Sequence, residues 1–238
     1  MLYPCDFTYK ALRDYFCEII ANGYKIITCE EYIDYKKAGV EYKIFVNRID
    51  IDTEFTKVKI IADIFNELNI KCTYFVRLHA KEYNPFSFEN YKILKYLRDT
   101  GNEIGYHSEI IDQSVIWNES AEVCLRRDIN VLNEILGIKI KGVASHGGIT
   151  GLNNLDFWKN RKASEFGLLY EAYDHEPEFG LFYNSLYVSD ANYRWKCYEN
   201  GVLRETDNRT IVEHSMDNHK IIYSTMHNDT FFKEHIYE

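Results

Sequence analysis

Apolar residues Leu12, Phe16, Ile19 and Ile20 recur at helical spacing over residues 8–21, and Asn22-Gly23 ends the run, which predicts an amphipathic helix. A short apolar run over 24–28 and a second helical stretch over 30–38 follow, before Gly39 breaks the chain. From residue 43 a strand and helix rhythm takes over. Residues 43–49 read as a strand, 56–68 as a helix through Val58, Ile61, Ala62, Phe65 and Leu68, and 72–78 (CTYFVRL) as a strand again. Ser87 caps a helix that carries Tyr91, Leu94 and Leu97, and Gly101-Asn102 turns the chain into a short strand at 103–106. A helix over 120–136 is closed by Gly137 and leads to a strand at 138–144. Less regular strands at 168–172, 183–188 and 221–225 bring the expected number to about seven.

Alternating strands and helices predict an α/β fold, with helices outside a parallel sheet that is either closed as a barrel or open and doubly wound. With no short-period repeat or linker-like tract, the chain reads as one domain, in which residues 1–42 are a helical lead-in packed on a body spanning 43–238. The 238 residues are 46% hydrophobic and 27% charged, with 3 Pro and 12 Gly, which excludes disordered and collagen-like classes. A net charge of -9 without a Lys/Arg-rich run argues against a nucleic-acid partner. No stretch approaches the ~20 apolar residues that a bilayer span needs, and the start MLYPCDFTYK lacks a basic segment followed by an apolar one. The expectation is therefore no membrane span and a cytoplasmic location. The six cysteines are scattered without a CxxC pair and read as reduced thiols. Neither G-x-G-x-x-G nor G-x-x-x-x-G-K-[ST] occurs, which removes the usual support for nucleotide binding.

In parallel α/β folds the chemistry collects at the C-terminal ends of the strands. Here those ends carry Asp50 and Asp52, Arg77 and His79, His107 and Glu109, His146, Asp190, and His227 with Asp229. Asp50 and Asp52, two apart on an extended segment, point the same way, and such a pair stays doubly ionised at close range only beside a cation. A mixed carboxylate and imidazole shell with an open position suits Zn²⁺ or a similar divalent ion. His175, His214, His219 and His235 lie in polar stretches and read as solvated, and Trp117 and Trp158 read as packing groups.

Five segments in this order resemble the polysaccharide deacetylase (NodB-homology) family of carbohydrate esterases, and within it a divergent intracellular branch linked to surface polysaccharides. They are RIDID at 48–52 with the following KVKIIADIFNELNIKCTYFV, GNEIGYHSE at 101–109, LNEILGIKIKGVASHGG with NNLDFW, SDANYRW at 189–195 and STMHND at 224–229. The resemblance implies a distorted (β/α)7 barrel, TIM-barrel-like, and metal-dependent removal of an acetyl group from a sugar or sugar conjugate. Carried over by position, Asp50 is the general base, Asp52 and His107 are metal ligands, and His227 is the general acid, supported by Asp190 and Trp195. Arg48, Glu109 and Trp195 are expected at the substrate. The family's second ligand His, four residues after the first, is here Ile111. His146 is then the candidate third ligand, with Glu109 and Asp112 as alternatives. The third motif's Arg is also missing, and Arg48 replaces it beside Asp50 only if its side chain turns inward. The rival reading is a catalytically silent barrel kept as a sugar-binding or interaction module.

Overall fold

β2 (Ile44–Ile51) is buried along its whole length, as a central strand of a parallel sheet must be, and every other element is arranged around it. The computed structural model describes residues 4–39 and 42–234. Before β2 come α1 (Tyr9–Ala21), β1 (Lys25–Ile27) and α2 (Cys29–Ala38). After it come α3 (Thr56–Glu67), β3 (Thr73–Val76), α4 (Phe88–Asp99), β4 (Glu103–Ser108), α5 (Ile110–Trp117), α6 (Ala121–Leu136) and β5 (Gly142–Ser145). The last part holds β6 (Tyr170–Glu171), β7 (Leu186–Ser189), β8 (Lys196–Glu199), β9 (Val202–Arg204), α7 (Ile211–Met216) and β10 (Ile221–His227), with short 3-10 turns between them.

The seven strands expected from the sequence are β2 to β7 and β10, and they lie parallel in the order β6-β5-β4-β3-β2-β10-β7. This is the cyclic order of a seven-stranded barrel, but the expected closure is not found. β7 spends one edge on β10 and the other on the antiparallel hairpin β8-β9, so no edge is left for β6. The sheet is open. Across the seam side chains meet, with the Tyr173 and Tyr187 hydroxyls 3.2 Å apart and Phe182 packed edge-on to both rings. β1 adds in parallel to the first half of β2, so the lead-in enters the sheet, and Thr8 caps α1 by accepting the Ala11 N–H at 3.0 Å.

Alternation along the strands sorts residues into two cores. Phe45, Ile49 and Ile51 of β2 join Tyr74, Val76, Ile104, Tyr106, Val143 and the helices on the outer face. Ile44 and Val46 share the inner face with Phe75, Ala144, Tyr170, Tyr187 and Tyr223. The same period continued along β2 sends Arg48 and Asp50 inward, where apolar filling gives way to charge. Three elements went unanticipated. α5 is apolar on both faces and follows β4 without a break, α7 has six residues and cannot display a helical period, and the β8-β9 hairpin is half exposed.

The inner face is filled tightly. A Cβ at Gly142 would lie 2.0 Å from a ring atom of the fully buried Tyr170. Gly142→Ala is therefore expected to cost about 1–3 kcal/mol through overpacking, read as a lower denaturation midpoint with an unchanged denaturant slope.

Candidate active site

At the C-terminal rim, β2 supplies Asp50 and, just past its last residue, Asp52; β4 supplies His107, the end of β5 leads to His146, and β10 ends at His227. In the parallel register His227 is the neighbour of Asp50 and Thr225 of Arg48. Arg48 is 0% exposed and turned inward. Its Nε and Nη2 donate to the two oxygens of Asp50 at 2.7 Å each, its Nη1 donates to the Tyr223 hydroxyl at 2.8 Å, and the guanidinium lies over the Phe75 and Tyr173 rings. Burial alone would push the Asp50 carboxyl up, and the Arg48 charge outweighs it, holding Asp50 below the usual carboxylate range. Arg48, expected at the substrate, thus lies fully buried behind Asp50, bonded through Nε, Nη1 and Nη2.

His107 Nδ1 lies 2.9 Å from the Ala144 carbonyl. A carbonyl only accepts, so Nδ1 carries the hydrogen and Nε2 faces the carboxylates, 3.3 Å from Asp52 and 3.5 Å from Asp50. A bare nitrogen lone pair against two carboxylates is repulsive, so a proton or a metal cation belongs between them. Burial would lower the His107 pKa, and the Asp50 and Asp52 charges raise it above the ordinary imidazole value. Asp52 Oδ1 is buried and accepts no hydrogen bond among the described residues, and His146 Nε2 lies 3.8 Å from it. Donor atoms of Asp52, His107 and His146 all fall within 4.8 Å of one another. One carboxylate and two imidazoles around an unsatisfied oxygen fit a divalent ion of the zinc type.

His227 occupies the other side of Asp52, with Nε2 at 3.9 Å. Asp190, at the end of β7, accepts from the His227 backbone N–H at 2.9 Å and from Nδ1 at 2.6 Å. Burial disfavours the imidazolium, but Asp190 and the two β2 carboxylates override it and push the His227 pKa up to about 10. A cavity of about 210 Å³ opens beside Asp52 and His227, walled by Asn192, Tyr193, Asp229 and Thr230. Asn192 and Tyr193 both have positive φ (58° and 55°), a strained pair at the rim of a pocket.

The comparisons with known proteins can be set beside this geometry. No protein-family model matches the chain, and no curated protein matches it. Among the solved structures that resemble it in part are two, from Streptococcus pyogenes and Ammonifex degensii. The Streptococcus pyogenes deacetylase PplD in complex with acetate is 13% identical over 57% of this chain, with a TM-score of 0.45, and the match spans 61% of that protein. IcaB from Ammonifex degensii is 18% identical over 68% of this chain and 74% of that one, with a TM-score of 0.49.

Several expected residues take other places. Glu109 is buried behind His146, with Oε1 3.4 Å from His146 Nδ1 and 2.7 Å from Arg77 Nη2, so it faces a ring rather than the cavity. Asp112 is committed to the loop that follows His146: it accepts from the Ile149 and Thr150 N–H groups, the Thr150 hydroxyl and Asn154 Nδ2. Asn154 in turn donates to the His146 carbonyl at 3.1 Å. Trp195, expected at the substrate, is buried and stacked on Phe7 at 5.4 Å, supporting the 190–195 loop from behind. His79 pairs with Asp128 at 2.9 Å, and His175 stacks on Tyr183 at 3.7 Å. His235 lies outside the described residues. His214, read as solvated, is fully buried. Arg77 and Asp229 stand at strand ends and were visible there, but only the folded chain shows Arg77 donating to the Asp52 carbonyl at 2.9 Å.

Arg48→Leu should lower stability by about 3–5 kcal/mol, because it strands a buried carboxylate, and adding Asp50→Asn should recover most of that loss in denaturant melts. Equal losses in the single and double variants would remove the charge pair as the cause. In metal-free protein, His227 should keep its proton well past neutrality in an NMR titration, and Asp190→Asn should bring its titration down. Because the folded value is raised, this group adds stability below the ordinary imidazole pKa that is lost as pH rises through about 10. Asp190→Asn should flatten that alkaline loss.

Proposed function

We propose that the chain is a divalent-metal-dependent amide hydrolase that removes an acyl group, acetyl foremost, from an N-acylated sugar or sugar conjugate. The observation that carries this reading is His107 Nε2 facing both Asp50 and Asp52, with His146 on one side of Asp52 and the His227-Asp190 pair on the other. Asp52, His107 and His146 are the residues that would hold the ion, with Zn²⁺ favoured by the donor set. When bound there, such an ion supplies Lewis-acid polarisation of an acyl carbonyl and acidification of a water.

The chain's own groups supply the proton transfers. Asp50, kept ionised by Arg48, is placed to take the proton of the attacking water. His227, kept cationic by Asp190, is placed to give a proton to the departing nitrogen, which leaves poorly as an amide anion. The carbonyl carbon gains a bond to oxygen and loses its bond to nitrogen, and the products are a carboxylate and an amine. Two carboxylates two residues apart thus take different parts: Asp50 is neutralised by a guanidinium, and Asp52 is left unsatisfied towards the imidazoles. The Ala144 carbonyl behind His107 orients that ring, as outer partners of metal-binding histidines do, and the Glu109 carboxylate lies 3.4 Å behind His146 Nδ1. The sugar as substrate rests on the order of the sequence motifs at 48–52, 101–109, 189–195 and 224–229.

Protein purified without chelator should carry near-stoichiometric divalent metal at this site, lost in both His107→Ala and His146→Ala. Asp50→Asn should keep the metal and lower deacylation of N-acetylated sugars by roughly 10²- to 10⁴-fold. Protein that takes up no zinc at this site even in excess would overturn the reading and leave the sugar-binding module in its place.

A further inference from the structure

His214 in α7 is 0% exposed, and neither of its ring nitrogens has a hydrogen-bond partner among the described residues. A neutral imidazole offers one donor and one acceptor, and an interior position that satisfies neither asks for an explanation. Its neighbours provide one. Ligand atoms of Cys197, Asp207 and His214 all lie within 4.8 Å of one another, with His214 Nε2 3.5 Å from Asp207 Oδ1. Cys197 is 1% exposed on β8, and Asp207 follows β9. On the other side, His214 forms a second such group with Asp217 and His219, whose Nε2 is also buried without a partner. A cavity of about 270 Å³ is lined by Cys197, Asp207, Asp217 and His219 together.

We propose that Cys197, Asp207 and His214 form a second divalent-cation site, of the zinc class, whose fourth position lies on the side of the cavity lined by Asp217 and His219. Thiolate, imidazole and carboxylate together select zinc-like ions over magnesium or calcium, which take oxygen donors. Charge balance agrees. Arg209 donates from Nε to Asp207 Oδ1 at 3.1 Å and from Nη2 to Oδ2 at 2.9 Å, and its Nη1 bonds Asp217. Two carboxylates against one guanidinium leave one surplus negative charge, and a dication with the Cys197 proton released brings the cluster to neutrality. Arg209 then acts as the outer partner that fixes the Asp207 carboxylate.

The site is separate from the one at the rim. His219 lies two residues before the first of β10 and His227 is its last, so at ~3.3 Å per residue the strand between them alone spans roughly 20 Å. The donors come from β8, the segment after β9, and α7, so a bound ion would clip the exposed hairpin to the helix. It is a structural site for the sheet's antiparallel edge.

The two sites differ in one spectroscopic respect, because the rim set contains no sulfur. Co²⁺ titrated into metal-free full-length protein should give a thiolate-to-cobalt charge-transfer absorption in the near ultraviolet, saturating at one thiolate-bound equivalent. The band should persist in the His107→Ala/His146→Ala double variant and vanish in Cys197→Ser and in His214→Gln. In the same double variant, Zn²⁺ should raise the thermal unfolding midpoint, and adding Cys197→Ser should abolish that rise. Absence of the band in the wild-type chain overturns the proposal without reference to any variant. Retention of the band in Cys197→Ser assigns it to another thiol and overturns the proposal equally.

Discussion

A guanidinium with no exposed surface lies at the centre of this protein, and its needs organise what surrounds it. Arg48 satisfies Nε and Nη2 on Asp50 and Nη1 on Tyr223, and its flat faces are covered by Phe75 and Tyr173. These partners come from β2, β3, β10 and the segment after β6, so one charged side chain ties together strands from both halves of the sheet. A buried ion pair is weak evidence for net stability, since desolvation consumes most of the Coulombic gain. Its value here is positional. With both oxygens engaged from one side, Asp50 has one orientation, ionised and aimed at the rim.

The open seam follows from a related constraint. A ladder needs a free edge on each strand, and β7 has none once β10 and β8 have paired with it. Tyrosines and Phe182 fill the gap left between β6 and β7. Their hydroxyls add polarity where backbone pairing is missing, and Tyr173 serves both the seam and the Arg48 face. On β2 the inward face runs from apolar Ile44 and Val46 at the bottom of the strand to Arg48 and Asp50 at the top.

At the rim, each chemically active group is held by another that cannot itself react. Ala144 sets the ring of His107, Asp190 sets His227, and Asp112 with Asn154 sets the loop that carries His146. His146 reaches Asp52 and His107 from the adjacent strand end. Tyr193, stacked edge-on to Phe7, and Trp195, stacked face-on to it, connect the lead-in helix region to the wall of the cavity. Phe7 of the lead-in thus packs behind the cavity wall.

Period-two alternation and strand-end chemistry were legible in the chain alone. The seven parallel strands, the shared inward direction of Asp50 and Asp52, and the gathering of His107, His146, Asp190 and His227 at one rim all follow from local pattern, because register between parallel neighbours is set by which face is apolar. The ring of contacts behind those residues was not legible. Whether Arg48 turned inward, whether Glu109 faced the cavity or a ring, and whether Trp195 met substrate or Phe7 depend on neighbours far away in sequence, as the 175-residue separation of Arg48 and Tyr223 illustrates. The same holds for His214. Its flanking residues are polar, so local hydropathy places it in water, and only the packing of α7 against α1 and the sheet edge buries it beside Cys197. Local pattern decides which face a side chain takes; only the assembled tertiary structure decides what it meets there, because burial and partnership are properties of segments brought together from distant parts of the chain.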